Sequence, residues 1–288
     1  MLVNLKELFA IAEERKIAVG AFNAAGLECI EAIFEAAETL NMPFVLMFAQ
    51  LHEPWIPLDT IGPIMMDAAR RSPVPVCVML DHGEDMEYLR RALELGFTAV
   101  MYDGSTLPFE ENLANTKQAV ALARTYGASV EAELGSMGRR EYGNGNRSGD
   151  EDETKIYTDP EMAKKFVEET GVDALACSFG TTHGIFLKEP RLDFDVVRNV
   201  RRLAHIPVVM HGASGVSNAD LHRAIEAGVS KINYFTYMDK AGGAAAAKAL
   251  SEIPEGRPVF FSTLMRAARE AMKQDVMQAM KVFAQMDE

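Results

Sequence analysis

The chain has 288 residues, of which 48 % are hydrophobic, and a formal net charge of −13. That is ample apolar material for a packed core without disulfide staples. The acidic balance, with no basic cluster, argues against a nucleic-acid backbone or an anionic membrane surface as partner and leaves a small molecule.

The opening stretch MLVNLKELFAIAEERK carries charges throughout and lacks a long apolar core, so it reads as an amphipathic helix and not as a secretory leader. No segment approaches the ~18 uninterrupted apolar residues of a membrane span, and a cytoplasmic protein is expected. Short β-branched runs then recur at residues 17–22, 43–48, 75–80, 99–102, 129–134, 174–178, 207–210 and 231–234. Helical patterns such as LECIEAIFEAAETL, DMEYLRRALELG and NADLHRAIEAG separate them. Eight such βα units with no linker or composition shift predict one domain over 1–288: an α/β (β/α)8 TIM barrel with extra terminal helices.

Two stretches depart from the repeat. GRREYGNGNRSGDEDETK, residues 138–155, is polar and glycine-bearing, and predicts a mobile active-site loop over about 138–158. The Met-rich C-terminal STLMRAAREAMKQDVMQAMKVFAQ predicts a terminal helix packed on the barrel or on a neighbouring subunit. Cys29, Cys77 and Cys177 are few, widely spaced and set in apolar sequence, which makes them core residues.

In a TIM barrel the chemistry sits at the C-terminal ends of the strands. Here those ends lead into Asn23, Asp81 with His82, Asp103, Glu131 with Glu133, His183, His211 and Asn233. Any one of them alone is more simply a cap or turn residue, and Asp85 does read as the cap of the helix after strand three. Their convergence on one rim points to a site. His82, His183 and His211 follow three different strands, and three imidazoles with one open position form a catalytic zinc site. Among the other histidines, His205 and His222 read as structural, and His52 as a surface-loop residue with pocket lining as the alternative. Glu131 and Glu133 share one strand face and are candidates for supporting or alternate metal contacts. HGASGVSNAD and then NYFT follow the last two strands, where small residues, Ser214 and Thr236 suit a phosphate, and Ser217 has capping spacing to Asp220.

Together LDHG, GFTAVMYDGSTLPFEEN, GASVEAELGSMG, TGVDALACSFGTTHG, HGASGVSNADLHRAIEAGVSKIN and AAREAMK resemble the zinc-dependent class II ketose-bisphosphate aldolases, particularly the fructose- and tagatose-bisphosphate branch. The resemblance runs in order across nearly the whole chain. It implies reversible aldol cleavage of a phosphorylated ketose to dihydroxyacetone phosphate and an aldehyde. It makes His82, His183 and His211 ligands of one catalytic Zn2+, with Glu133 an alternate contact. It makes Asp81 the acid/base for the aldehyde-derived hydroxyl and Glu141 the loop carboxylate that moves a proton at the dihydroxyacetone-phosphate carbon. Asn23, Gly184, Gly212, Ala213, Ser214, Asn233 and Thr236 match substrate and phosphate contacts, and relatives often hold Na+ or K+ beside that phosphate. A homodimer or homotetramer is implied as well.

The chain also departs from the family pattern. Ala49 stands at the position of a substrate-touching serine, Met79 replaces a strand histidine, and Leu187 replaces a phosphate-contacting lysine, with Lys188 beside it. Tyr234 and Phe235 are bulkier than usual. Loss of the cationic phosphate contact at Leu187 costs about 1.5–3 kcal/mol, and Ala49, His52 and Leu187 are the specificity candidates. Two other readings remain open: a metal-dependent barrel lyase or epimerase on another sugar or sugar acid, and a non-catalytic sugar-phosphate-binding relative.

Overall fold

The computed structural model describes residues 1–135, 139–140, 157–181, 183–184 and 190–286, with backbone alone at 139, 140 and 183. Eight parallel strands close into a barrel: β1 (Val19–Asn23), β2 (Phe44–Ala49), β3 (Val76–Gly83), β4 (Ala99–Tyr102), β5 (Ser129–Leu134), β7 (Ala174–Cys177), β9 (Val208–Met210) and β10 (Val229–Tyr234). Each lies on one of the expected runs. The short ladder between β6 (Arg139–Arg140) and β8 (His183–Gly184) was not expected. It pairs by backbone, which hydrophobic patterning does not reveal. The ladder's first strand falls near the start of the expected loop over 138–158, most of which lies outside the described residues. At the other end of that stretch the Thr158 hydroxyl is buried between Leu134 O and the Ser178 N–H, at 2.5 and 2.8 Å. Residues 141–156 lie outside the described part.

Strand pleat sorts the apolar residues into two cores. Inward-facing Val19, Ala21, Val45, Met47, Cys77, Met79, Ala99, Met101, Ala174, Ala176 and Val209 fill the barrel. Its lower end is stoppered by Leu5, Leu8, Phe9 and Ala12 of the first helix, α1 (Leu5–Arg15). That helix starts where the residues ask for it: Asn4 and Glu7 form a reciprocal capping box. The expected amphipathic N-terminal helix is thus the barrel's floor. Outward-facing residues such as Phe22, Phe44, Leu46, Val78, Leu80 and Leu175 pack against the surrounding helices, each burial contributing about 1.5–3 kcal/mol.

Those helices follow in order: α2 (Leu27–Leu40), α3 (Leu58–Arg71), α4 (Met86–Glu94), α5 (Phe109–Thr125), α6 (Pro160–Thr170), α7 (Phe194–Ala204), α8 (Asn218–Ala227), α9 (Thr236–Ser251) and α10 (Phe261–Phe283). The terminal helix α10 lies on the barrel itself. Phe283 stacks on Phe22 of β1 with centroids 6.5 Å apart, and a Cβ at the neighbouring Gly20 would meet the Phe22 ring at 2.6 Å. Cys29, Cys77 and Cys177 are all buried and free, as expected.

Candidate active site

The pleat that fills the barrel also aims polar groups upward. On β3 the inward positions run Cys77, Met79, Asp81, so strict alternation would turn the next residue, His82, outward. It does not. The β3–β4 register shifts between Leu80 and Gly83, and His82 adopts a left-handed φ of 48°. This break in the strand brings two consecutive side chains to the same mouth, which explains the Asp–His tandem. Asp85 meanwhile caps α4 by accepting from Glu87 N, so the loop serves both helix and site.

His82 and His211 are each braced from behind by a carboxylate. His82 Nδ1 lies 2.7 Å from Asp103 Oδ2, and Asp103 Oδ1 accepts from the Ser105 hydroxyl and backbone N–H. His211 Nε2 lies 3.0 Å from Glu131 Oε1. If each ring gives its N–H to that carboxylate, Nε2 of His82 and Nδ1 of His211 present lone pairs forward. The two rings are edge to face with centroids 4.9 Å apart. Glu133 Oε2 is 3.3 Å from His211 Nδ1 and is buried with no hydrogen-bond partner among the described residues. Asp81, His82 and His211 offer ligand atoms within 4.8 Å of one another, as do His82, Asp103 and Glu133.

The electrostatics favour a cation in this place. Asp81, Asp103, Glu131 and Glu133 are all buried, and among the described residues Lys231 is the one buried lysine or arginine. Burial opposes protonation of His82, yet the charges of Asp81, Asp103 and Glu133 outweigh it and raise the group to about 10. Burial alone would raise Asp81; His82, His211 and Lys231, with the Asn23 amide, hold it down to about 2. A pocket rich in carboxylates with imidazoles presenting lone pairs suits a divalent metal of zinc type. His183 has its backbone in β8, and its side chain lies outside the described residues.

Asp81 is held from two sides. Asn23 Nδ2 donates to Oδ2 at 2.7 Å and Asn233 Nδ2 to Oδ1 at 3.3 Å. Asn233 in turn accepts from Lys231 Nζ at 2.7 Å, and Lys231 contacts Glu131 at 2.9 and 3.2 Å. One connected network therefore runs from Asn23 through Asp81, Asn233, Lys231 and Glu131 to His211.

The pocket above is lined by Asn23, Ala49, His52, Asp81, His82, Gly184, Gly212, Ala213, Ser214, Asn233 and Thr236 among the expected residues, with Leu51, Tyr234 and Phe235 besides. Gly184 and Gly212 have φ of 91° and 64°, conformations that glycine supplies without strain. Thr236 opens the 16-residue α9, whose N-terminal position carries no side-chain cap, so its first N–H groups are available to an anion. His52 corrects the surface-loop expectation: it is 1 % exposed, lies in a 3-10 turn and packs against Trp55 and Phe235. Short turns that fold inward under aromatic neighbours are not legible from residue order. Glu141, Leu187 and Lys188 lie outside the described residues.

A family model described as "Fructose-bisphosphate aldolase class-II" matches residues 3–288. The chain belongs to that family. It is similar to a D-tagatose-1,6-bisphosphate aldolase subunit, GatY, of Klebsiella oxytoca, with 35 % identity over 98 % of this chain and 97 % of that one. It is equally similar to a probable fructose-bisphosphate aldolase of Bacillus subtilis, at 35 % over 98 % and 97 %. Among solved structures, the YdjI aldolase of Escherichia coli K12 superposes with a TM-score of 0.86 at 33 % identity, covering 98 % of this chain and 97 % of that one. The expected fold and family resemblance are thus borne out: this is a class II aldolase, a carbon–carbon lyase.

The sequence leaves one member of the aldolase site unmarked and the partner of another unassigned. Lys231 sits in the run KINY, one cation among apolar residues, and is not among the sequence candidates. Its i, i+2 spacing to Asn233 was the available signal, since both face the barrel interior. Asp103 was noted at a strand end but not as the brace of His82. Among the described residues, no helix is long and apolar enough to cross a membrane.

Proposed function

We propose that the protein is a zinc-dependent aldolase that reversibly cleaves a phosphorylated ketose to dihydroxyacetone phosphate and an aldehyde. The observation that carries this reading is the Asp81 carboxylate, kept ionised and clamped by two amides, directly beside the braced pair His82 and His211.

In this reading His82, His183 and His211 hold the metal, with Glu133 as neighbouring or alternate contact. When bound, zinc supplies Lewis acidity that polarises the ketose carbonyl and stabilises negative charge on its oxygen. Asp81 takes the proton from the hydroxyl of the aldehyde-to-be as the adjacent carbon–carbon bond breaks, and the bonding electrons remain with the dihydroxyacetone-phosphate half. In condensation it returns that proton. Glu141 moves a proton at the carbon left behind. Asn233 orients a ketose hydroxyl while donating to Asp81, and Gly184, Gly212, Ala213, Ser214 and the α9 terminus at Thr236 receive the phosphate, where Na+ or K+ is the expected companion. Asp81 and Glu131, the brace of His211, share the network through Lys231, so their relative position is fixed. The chain is expected to work as one catalytic domain, in the cytoplasm and as a homo-oligomer.

The test is release of dihydroxyacetone phosphate from a panel of ketose bisphosphates and ketose monophosphates by zinc-loaded protein. It is read by NADH oxidation with glycerol-3-phosphate dehydrogenase. Turnover of at least one ketose, abolished by chelator and restored by zinc, supports the reading. No turnover of any ketose would count against it.

A further inference from the structure

Within that aldolase reading, the geometry points to His52 as a specificity-determining residue that hydrogen-bonds a hydroxyl of the aldehyde half of the substrate. Its imidazole lines the pocket and is 1 % exposed, and its Nδ1 is buried with no hydrogen-bond partner among the described residues. A phenylalanine or leucine would fill the same apolar space without stranding a polar atom, so packing does not account for an imidazole here.

The ring is also held. Trp55 stacks on it at 4.7 Å with an interplanar angle of 18°, Phe235 lies against it at 5.1 Å, and Phe48 meets it edge-on at 6.0 Å. A polar group clamped by three aromatic rings presents its nitrogens in one place, as a selective contact requires. Burial lowers its pKa to about 4, against the weaker opposing pull of Asp81, so the ring is neutral at physiological pH. A neutral imidazole offers one N–H donor and one lone pair, which match a hydroxyl better than a carboxylate or a phosphate.

Position assigns the contact to the aldehyde half. The proposed phosphate cradle lies after β9 and β10, at Gly212 to Ser214 and at Thr236. His52 comes from the turn after β2, the barrel neighbour of β3, and Ala49 at the end of β2 is in register with Asp81. His52 therefore stands on the side where Asp81 handles the aldehyde-derived hydroxyl. Ala49, with no hydroxyl of its own, leaves that wall one polar contact short, and His52 lies three residues further along. Among the described residues, no lysine or arginine lines the pocket. The aldehyde class that fits is an uncharged hydroxyaldehyde.

The experiment compares wild type with His52→Phe, which preserves ring and stacking but removes both nitrogens. Zinc-loaded protein is given dihydroxyacetone phosphate with either glyceraldehyde or propanal, which lacks the hydroxyls. Deuterium exchange into dihydroxyacetone phosphate alone is followed in parallel, and His52→Gln tests whether another polar side chain restores selectivity. The expected result is that His52→Phe lowers kcat/KM for glyceraldehyde at least tenfold more than for propanal, and at least tenfold more than it lowers exchange. His52→Gln should recover part of the difference. Equal losses with both aldehydes, or a matching loss of exchange, would overturn the inference while leaving the aldolase reading standing. Absence of both exchange and condensation in wild type would overturn the aldolase reading and this inference with it.

Discussion

Lys231 Nζ lies 2.9 Å from Glu131 Oε2, and both side chains are wholly buried in the barrel. The pair stands behind the site: Glu131 also braces His211, and Lys231 also holds Asn233, which holds Asp81. Burial would raise the Glu131 carboxyl, and the Lys231 charge together with His211 keeps it below its ordinary value. Lys231→Met leaves that carboxylate without its cation and should cost about 3–5 kcal/mol in denaturant unfolding. The double variant Glu131→Leu with Lys231→Met should recover most of the loss while still binding zinc more weakly, because His211 has no brace. Full recovery of zinc affinity in the double variant would refute the bracing role.

Asp103 gives the same kind of support to His82. Asp103→Asn keeps the shape but weakens the charge that sets the ring's tautomer, and should raise the zinc Kd about 10–100-fold with the fold retained. Competition with a chromophoric chelator measures this directly. An unchanged Kd would mean that His82 does not present Nε2 to the metal.

Asp81→Asn separates the two halves of the reaction. If Asp81 transfers the proton at the aldehyde-derived hydroxyl as proposed, its replacement should lower cleavage about 10²–10⁴-fold. In the proposed mechanism, proton exchange at dihydroxyacetone phosphate depends on a different carboxylate, Glu141, and should fall far less. Parallel losses in the two assays would remove Asp81 from the assigned role.

His52 gives a pH signature in stability. Its folded pKa of about 4 lies below the ordinary value of 6.5, so between those limits the unfolded chain binds a proton that the folded chain does not. The neutral ring's contribution is intact above pH 6.5 and is lost as pH falls toward 4, at up to about 1.4 kcal/mol per unit. The difference in unfolding free energy between wild type and His52→Phe should therefore shift by about 3 kcal/mol at most over that window, with wild type losing more on acidification. A pH-independent difference would contradict the burial of a neutral ring.

The barrel was legible in the sequence because parallel strands buried on both faces leave β-branched runs at regular spacing, and these located all eight strands. The rim residues Asn23, Asp81, His82, Glu133, His211 and Asn233 were legible because strand ends are where polar residues interrupt such runs. Three features were not. The left-handed turn at His82 is a backbone event that only pairing with β4 defines. Lys231 looks exposed until the pleat places it beside Glu131. His52 looks like a loop histidine until Trp55 and Phe235 close over it. Each depends at least in part on a contact with a strand or loop distant in the chain.

The central claim is that braced imidazoles, a metal and a loop carboxylate activate dihydroxyacetone phosphate. It is tested most directly by incubating metal-loaded protein with that compound in deuterated water and following its hydroxymethylene proton signal by NMR. No aldehyde is needed. The account predicts exchange that vanishes with chelator and in His82→Ala and returns with zinc in wild type alone. Exchange persisting in His82→Ala, or none in zinc-loaded wild type, would contradict it.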